Sequence, residues 1–523
     1  MGTNRAARVR GRDAATRGRA RAVVALLLAT LLPGVAAAPA SAGLLPPPPR
    51  PLEVIVQQLD PHDPAPAALV ALLGGTVTQP LPIVTGFAAR IPSSALSSLA
   101  TLPGVRVVSG NHPVVPAAVQ SAVPPGPSVH RETIGSSAAN AAGLTGAGTT
   151  VAVLDTGIAD VPALAGRVRP VAAPDGSVHR CVNLSAEAGC GDSFGHGTFV
   201  AGMVHSVAPG ADLLSVKLSG RDGQSNVATV LAALQWVITN RATYGIDVVN
   251  LSLRSDSSLS YRLDPLNLAV EQLWANGVTV VVSAGNQGSA PGTIAKPGDD
   301  PWVITVGASD DQGTASPADD SVAAFSSRGP TLADGLAKPD LVAPGRSLHS
   351  LRSPGSEADL RYPNFVDETY RLGSGTSFSA PEVAGAAALL HQADPSATND
   401  RVKFALTQTA RPLGAANDSG AGTLDVVAAL SAPAGEANQS TFHPILFPTG
   451  TPSLLDLLGT QYEGTSWQGT SWQGTSWQGT SWQGTSWQGT SWQGTSWQGT
   501  SWQGTSWQGT SWQGTSWQGT SWQ

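Results

Sequence analysis

Three short segments carry the residue types that nucleophilic catalysis requires. Asp155 heads Asp155-Thr156-Gly157. His196 opens His196-Gly197-Thr198 just after Gly195. Ser377 lies within Gly375-Thr376-Ser377-Phe378-Ser379-Ala380-Pro381. A serine hydroxyl is a poor nucleophile until an imidazole takes its proton, and the imidazole needs a carboxylate to fix its tautomer and stabilise its cation. A fourth segment, Ser283-Ala284-Gly285-Asn286, adds a side-chain amide able to donate to an oxyanion. Each segment alone is weak. Asp-Thr-Gly is also the catalytic turn of aspartic proteases, but that chemistry needs a second carboxylate, and no second Asp-Thr-Gly occurs. A histidine between glycines is commonly a turn residue, a Gly-Thr-Ser a plain helix cap, and an asparagine after a strand a turn residue. The order Asp, His, Ser is neither that of chymotrypsin nor that of the α/β-hydrolases, and Ser377 lacks the Gly-x-Ser-x-Gly elbow of the latter.

The surrounding pattern supplies elements able to position these groups. Apolar, β-branched runs at residues 150–154, 213–218, 248–253, 278–282 and 303–306 predict strands. Residues 226–240 and 266–275 repeat apolar side chains at helical spacing. Strands that are apolar throughout, separated by helices, indicate an α/β fold with a mostly parallel sheet and helices on both faces. Such sheets hold ligands at the carboxyl ends of their strands, where Asp155 and the Gly285-Asn286 turn fall. Ser377 precedes an alanine-rich helical run with Pro381 expected in its first turn. The free N–H groups and positive dipole end of such a helix favour developing negative charge.

Composition divides the 523 residues into further sections. Residues 1–42 combine arginines, an apolar run and a terminal Ala40-Ser41-Ala42, the pattern of a secretory signal peptide. Residues 43–112 alternate strand and short-helix patterns, predicting a small α+β unit. Residues 113–128, rich in Pro, Ala and Ser, read as an exposed linker. Residues 129–430 hold the large sheet, residues 431–463 a second linker, and residues 464–523 repeat Gly-Thr-Ser-Trp-Gln without a substitution. Charged residues are 12% and the net charge is -7, which gives no basic footprint for nucleic acid. The two cysteines, Cys181 and Cys190, suit a disulfide closing a small loop in an exported protein, free thiols being the alternative. Without suitable histidine spacing they do not suggest zinc.

Taken together, the segments resemble the subtilisin (subtilase) family of serine peptidases. The resemblance runs through Val151–Ile158, His196–Gly202, Val249-Asn250-Leu251-Ser252-Leu253, Ser283–Asn286, Phe325–Pro330, Lys338–Gly345 and Gly375–Pro381, and spans nearly all of residues 129–430. It implies a subtilisin-like fold with Asp155, His196 and Ser377 as triad and Asn286 as oxyanion donor beside the Ser377 N–H. It also implies substrate contacts by Ser252, Leu253, Arg254 and Gly285. Residues 43–112, notably Gly86-Phe87-Ala88-Ala89-Arg90-Ile91, resemble the family's inhibitory propeptide, with self-cleavage expected between Gly110 and Ser128. A permanent binding module is the other reading of that unit. The implied function is a secreted serine endopeptidase, made as a zymogen, acting on protein or peptide substrates and inhibited by its own propeptide.

No cofactor is required for such chemistry and no residue is assigned to a catalytic metal. Structural calcium, common in relatives, is assigned to no position. The calcium loop that interrupts the helix after the histidine in many relatives is expected to be missing, since only residues 203–207 separate Gly202 from Ala208-Pro209. Phe199 and Glu382 stand where relatives often have histidine. Arg254 replaces a frequent glycine and is expected either to reach the cleft, favouring acidic or polar side chains, or to turn to solvent. The tryptophan repeat reads as disordered and sticky, or as a multivalent contact to a cell-surface polymer. A surface-binding protein with an inactive protease fold is the rival class.

Overall fold

The computed structural model describes residues 51–118, 128–173 and 175–438, together with backbone pairings in the tail that join Gln461–Glu463 to Ser466–Gln468 and Ser486–Gln488 to Ser506–Gln508. The chain divides into two units, residues 1–48 and 49–523, and only the second is described. The signal-peptide assignment and the side chains of the tryptophan repeat lie outside the described residues.

The five apolar runs, except Leu253 at the end of one of them, become the interior of one sheet. Its order is Ser321–Val322, Ile304–Asp310, Thr279–Ser283, Ile246–Leu251, Thr150–Asp155, Asp212–Lys217 and Cys181–Asn183, with Leu341–Pro344 also pairing Ile304–Asp310. All pairings are parallel except that of Ser321–Val322. Every residue of Thr150–Asp155 and of Thr279–Ser283 is buried, which requires cover on both faces. The helices supply it in pairs, His196–Val207 against Thr376–Ala393 and Val227–Tyr244 against Pro265–Ala275. Local signals set their ends. The Asn226 side chain accepts from Thr229 N–H, Gly245 closes the same helix at φ 57°, and Asp264 caps Leu266 N–H with Pro265 at the first position. The strand after Thr150–Asp155 in sequence, apart from short edge pieces, lies on one side of it, and the next lies on the other. Asp155 therefore sits at a switch point of the sheet, where a crevice opens at the carboxyl ends.

Residues 52–110 form a four-stranded antiparallel sheet in the order Thr76–Leu81, Gly86–Ile91, Leu52–Gln58, Val105–Gly110, packed with helices Ala65–Leu72 and Leu96–Ala100. Strand alternation gives this sheet two buried faces. Val54 and Val56 pack into its own core with Val70, Phe87 and Leu99. Ile55, Ala88 and the turn residues Ile83 and Val84 join the core of the larger unit, against the Val227–Tyr244 and Pro265–Ala275 helices. Polar contacts reinforce the seam. Gln57 Nε2 donates to the Leu263 carbonyl at 2.8 Å, Arg106 Nη2 to the Arg262 carbonyl at 3.0 Å, and Asn111 Oδ1 accepts Ala228 N–H at 2.9 Å.

Two expected linkers are corrected. Residues 113–128 do not begin as an exposed linker: Pro113–Pro116 is the middle strand of a three-stranded sheet, between Ser225–Asn226 and Leu253–Ser255, with Val114 buried. Val114 and Val115 favour the extended pairing, and the two prolines stand at its ends, where a missing N–H is tolerated. Residues 431–438 likewise do not run free. Arg401 donates to the Ala432 carbonyl at 2.8 Å, and Ala437 N–H to that of Asp400 at 3.0 Å.

Candidate active site

Asp155 is the last residue of its strand, and His196 is the first of its helix. Gly195, at φ 100°, turns the chain into that helix. A Cβ on Gly197 would fall 2.2 Å from the Gly157 carbonyl, so glycine there lets the two loops meet. The meeting places His196 Nδ1 at 2.8 Å and 3.0 Å from the two Asp155 carboxylate oxygens, with both side chains 3% exposed. In that contact Nδ1 is the donor to the carboxylate, which turns Nε2 away from Asp155. That nitrogen is buried and has no partner among the described residues.

Ser377 is the second residue of the Thr376–Ala393 helix. Pro381 falls in its second turn, not its first as expected. Lacking an N–H, it leaves the Ser377 carbonyl without its i+4 donor. Ser252 Oγ fills that place, donating to the Ser377 carbonyl at 2.7 Å, while the Ser252 carbonyl accepts Ser377 Oγ at 3.0 Å. The expected hydrogen bond between the Ser377 hydroxyl and His196 is not made: the hydroxyl donates to the Ser252 carbonyl, and His196 Nε2 is left without a partner among the described residues.

A peptide carbonyl already occupies the space between the proposed oxyanion donors. The Ala117 carbonyl accepts the Ser377 N–H at 3.2 Å and also the Asn286 side-chain amide. The amide is oriented by Thr376, whose N–H and Oγ1 both donate to Asn286 Oδ1 at 3.0 Å. Gly375 adopts φ 148°, and a Cβ there would meet the Ala117 carbonyl at 2.9 Å. Ala117 N–H donates to the Ser252 carbonyl at 3.3 Å, extending the ladder in which Pro116 pairs Leu253 and Val115 pairs Arg254. Gly285, at φ 106°, donates its N–H to Thr376 Oγ1 at 3.2 Å, supporting the same wall. Arg254 lines the cleft beside Val115–Ala118, with its guanidinium on the exposed Asp256.

Asp192 was not singled out from the sequence, yet it organises the site. It is fully buried. Oδ1 accepts Thr156 Oγ1 and Gly195 N–H, both at 2.7 Å, and Oδ2 accepts Thr198 N–H and Oγ1, both at 2.7 Å. One carboxylate thus ties the turn after Asp155 to the first turn of the His196 helix. Burial pushes this carboxyl up, against the downward pull of its donors. The available signal was an aspartate four residues before the histidine, too common a pattern to stand alone. Cys181 and Cys190 are joined in a disulfide just upstream, and Lys217 Nζ donates to the Gly191 carbonyl at 2.6 Å. Among the described residues, no group of three or more His, Cys, Asp or Glu side chains could hold a metal ion, and no helix is long and apolar enough to cross a membrane.

The sequence profile of the subtilase family, peptidase S8, matches residues 146–426. The chain is 43% identical over 278 residues to the serine protease AprX of Bacillus subtilis, covering 50% of this chain and 60% of that protein. It is 36% identical over 301 residues to subtilisin Savinase of Lederbergia lenta, covering 56% of this chain and 94% of that protein. Among solved structures, fervidolysin from Fervidobacterium pennivorans, a keratinolytic enzyme related to subtilisin, superposes with a TM-score of 0.55 at 25% identity, covering 73% of this chain and 61% of that one. The chain thus spans about 60% of the length of AprX and of fervidolysin. With the parallel sheet, the profile match and these relatives in agreement, the chain belongs to the subtilase family of serine-type endopeptidases.

Proposed function

We propose that this protein is a secreted serine endopeptidase, made as a zymogen, that hydrolyses peptide bonds in proteins with Asp155, His196 and Ser377. One observation carries the reading: the Ala117 carbonyl lies between the Ser377 N–H and the Asn286 amide, in line with a strand bound as a substrate would be. Residues 43–112 then act as the inhibitory propeptide, and the bond cut is Ala117–Ala118, within the 110–128 interval expected from sequence. The signal-like residues 1–42 support export.

In this mechanism Ser377 Oγ swings from the Ser252 carbonyl to His196 Nε2, gives up its proton and bonds to the substrate carbonyl carbon. The charge that develops on the carbonyl oxygen is held by Asn286 Nδ2 and the Ser377 N–H, and Asp155 stabilises the imidazolium. The C–N bond breaks, and the proton on His196 passes to the leaving amine. Water, deprotonated by His196, then attacks the acyl-enzyme carbonyl. The Ser377 Oγ–C ester bond then breaks, His196 returns the proton taken from water to Ser377 Oγ, and the acid product is released. None of these steps needs a metal, and the protein's own groups supply every proton transfer.

The test is intact mass and amino-terminal sequencing of the purified full chain over time. A product beginning at Ala118, absent from the Ser377→Ala protein, is expected, together with fluorophosphonate labelling of the processed form. A Ser377→Ala chain that released the same fragment in isolation would overturn self-processing. An unlabelled, uncut wild type would overturn the peptidase reading. For the tryptophan repeat, retention on cell-wall polymer of the full chain against one ending at Glu463 tests the surface-contact role.

A further inference from the structure

Only Gly191 separates Cys190, and its disulfide to Cys181, from Asp192. Cys181 begins the edge strand Cys181–Asn183, which pairs in parallel with Ser215–Lys217. Residues 184–190 then loop out and return, and the disulfide fastens the end of the loop to its start. The other ties across the loop are exposed. Asn183 Nδ2 donates to the Glu187 and Gly189 carbonyls at 2.7 Å and 2.9 Å, in competition with water.

Two routes lead from this loop to Asp155 and His196. In the first, the backbone of Cys190-Gly191 lies against the turn after Asp155: a Cβ on Gly157 would fall 3.0 Å from the Gly191 carbonyl and 3.2 Å from that of Cys190. Asp192, carried by the same backbone, joins that turn to the His196 helix through Thr156, Gly195 and Thr198. In the second, Glu187 within the loop meets Lys217 Nζ at 2.8 Å. The Lys217 side chain is 1% exposed, so its charge depends on Glu187 and on the Gly191 carbonyl. Lys217 is the register partner of Asp155, and the following Leu218 N–H donates to the Asp155 carbonyl at 2.7 Å. Opening the disulfide frees the loop at its return end, where Gly191 sits, and loosens Glu187 with it.

We infer that the Cys181–Cys190 disulfide is a redox switch on catalysis. Oxidised, it positions Asp192 and Lys217, and through them Asp155 and His196. Reduced, it lets these groups drift while the Leu253–Ser255 edge of the cleft stays in place. Both cysteines are positioning residues and touch no substrate. Cys190 is partly exposed, within reach of a thiolate. In reduction a dithiol hands two electrons and two protons to the sulfurs: the S–S bond breaks, two thiols form, and the dithiol closes to its own disulfide. Oxidation during export, by a disulfide-bearing acceptor, runs the exchange in reverse. A chain kept reduced inside the producing cell is thereby held at low activity, independently of residues 43–112. This rests on the peptidase and export readings above.

The test uses protein from the full chain after processing, with active sites counted by fluorophosphonate before treatment. Dithiothreitol reduces the folded protein, and alkylation with intact mass confirms two thiols per molecule. On a small peptide kcat should fall about tenfold, short of the hundredfold or so that a 1 Å misplacement can cost, with KM unchanged. Reoxidation of an unalkylated sample with glutathione disulfide should restore kcat. The double variant Cys181→Ser, Cys190→Ser should match the reduced protein and ignore reductant. Circular dichroism reports whether each form is folded at the assay temperature. A folded, reduced protein with unchanged kcat, or with KM raised instead, would overturn the switch. So would a loss that appears only on unfolding, or one that reoxidation does not reverse. Oxidised protein that neither labels nor turns over would instead remove the peptidase reading beneath it.

Discussion

Glu382 lies five residues past Ser377 on the same helix, fully buried, and neither carboxyl oxygen has a partner among the described residues. Burial pushes its pKa well above the usual carboxylate value of 4.5, with Asp311 adding to the effect. Leaving one such polar group unpaired in an interior costs about 1–3 kcal/mol by mutational measure. Methionine has a similar length and no polar head, so Glu382→Met should recover most of that cost with little cavity or overpacking penalty. At about 2 °C per kcal/mol, that is an increase of roughly 2–6 °C in Tm. The gain also depends on pH with a definite sign. Below 4.5 the carboxyl is protonated in both folded and unfolded chains, and ionisation contributes nothing. Above it the unfolded chain sheds the proton while the folded one keeps it, so the wild type loses stability as pH rises toward the folded pKa. The variant has no such loss. Thermal denaturation of Glu382→Met in a Ser377→Ala background, at acid, neutral and alkaline pH, measures both effects without self-digestion. A variant less stable than its parent, or an advantage that does not widen from acid to alkaline pH, refutes the reasoning.

Asn286→Ala should lower kcat by about 10² to 10³, the loss seen for this donor in a subtilisin, with KM for a small peptide little changed. Steady-state kinetics checks it, and an unchanged kcat places the oxyanion elsewhere. Removing Asp192 as alanine strands the N–H groups of Gly195 and Thr198, which cannot reorient as the two threonine hydroxyls can. At roughly 1–3 kcal/mol each the loss is about 2–6 kcal/mol, readable by denaturant titration in the Ser377→Ala background. Arg254→Ala should reduce cleavage of peptides with acidic residues opposite it by no more than about fivefold, because Asp256 already shares its charge in a partly exposed site. A library profile identical to wild type would show that Arg254 does not read the substrate.

The inner strands of the sheet were legible because each carries an apolar run, and a strand covered on both faces has little alternation to obscure it. Residues 150–154, 213–218 and 278–282 each fall within a residue or so of an observed strand. The run 248–253 is broken in two: Ile246–Leu251 stays in the large sheet, and Leu253–Ser255 leaves it to flank the cleft, a change of partner that hydrophobicity does not encode. Asp155, His196, Ser377 and Asn286 stood out because close backbone approach demands glycines beside them. Asp192 does follow Gly191, but a Cβ there would meet nothing within 4 Å, so no close approach marks the position. Its importance comes from joining one distant turn, through Thr156, to three donors of the nearby Gly195 and Thr198, a convergence that exists once the chain has folded. The same holds for residues 113–117. Read alone they are a proline-flanked spacer, and their strand character is lent by the two edges that receive them. The pairing of Ser377 with Ser252 was equally hidden, since it follows from the N–H that Pro381 lacks.

The segment ending at Ala117 is held by much more than its own peptide continuity. Asn111 and His112 accept the first amides of the Val227–Tyr244 helix, Pro113–Pro116 is laddered on both edges, and the Ile83–Val84 turn is sunk into the neighbouring core. Cutting after Ala117 would remove none of these contacts. On the proposed self-processing, scission and departure would be two separate clocks. The newly made carboxyl terminus would sit as a plug in the groove that produced it, and the onset of activity would be timed by how fast that plug detaches or is digested, rather than by how fast the bond is cut.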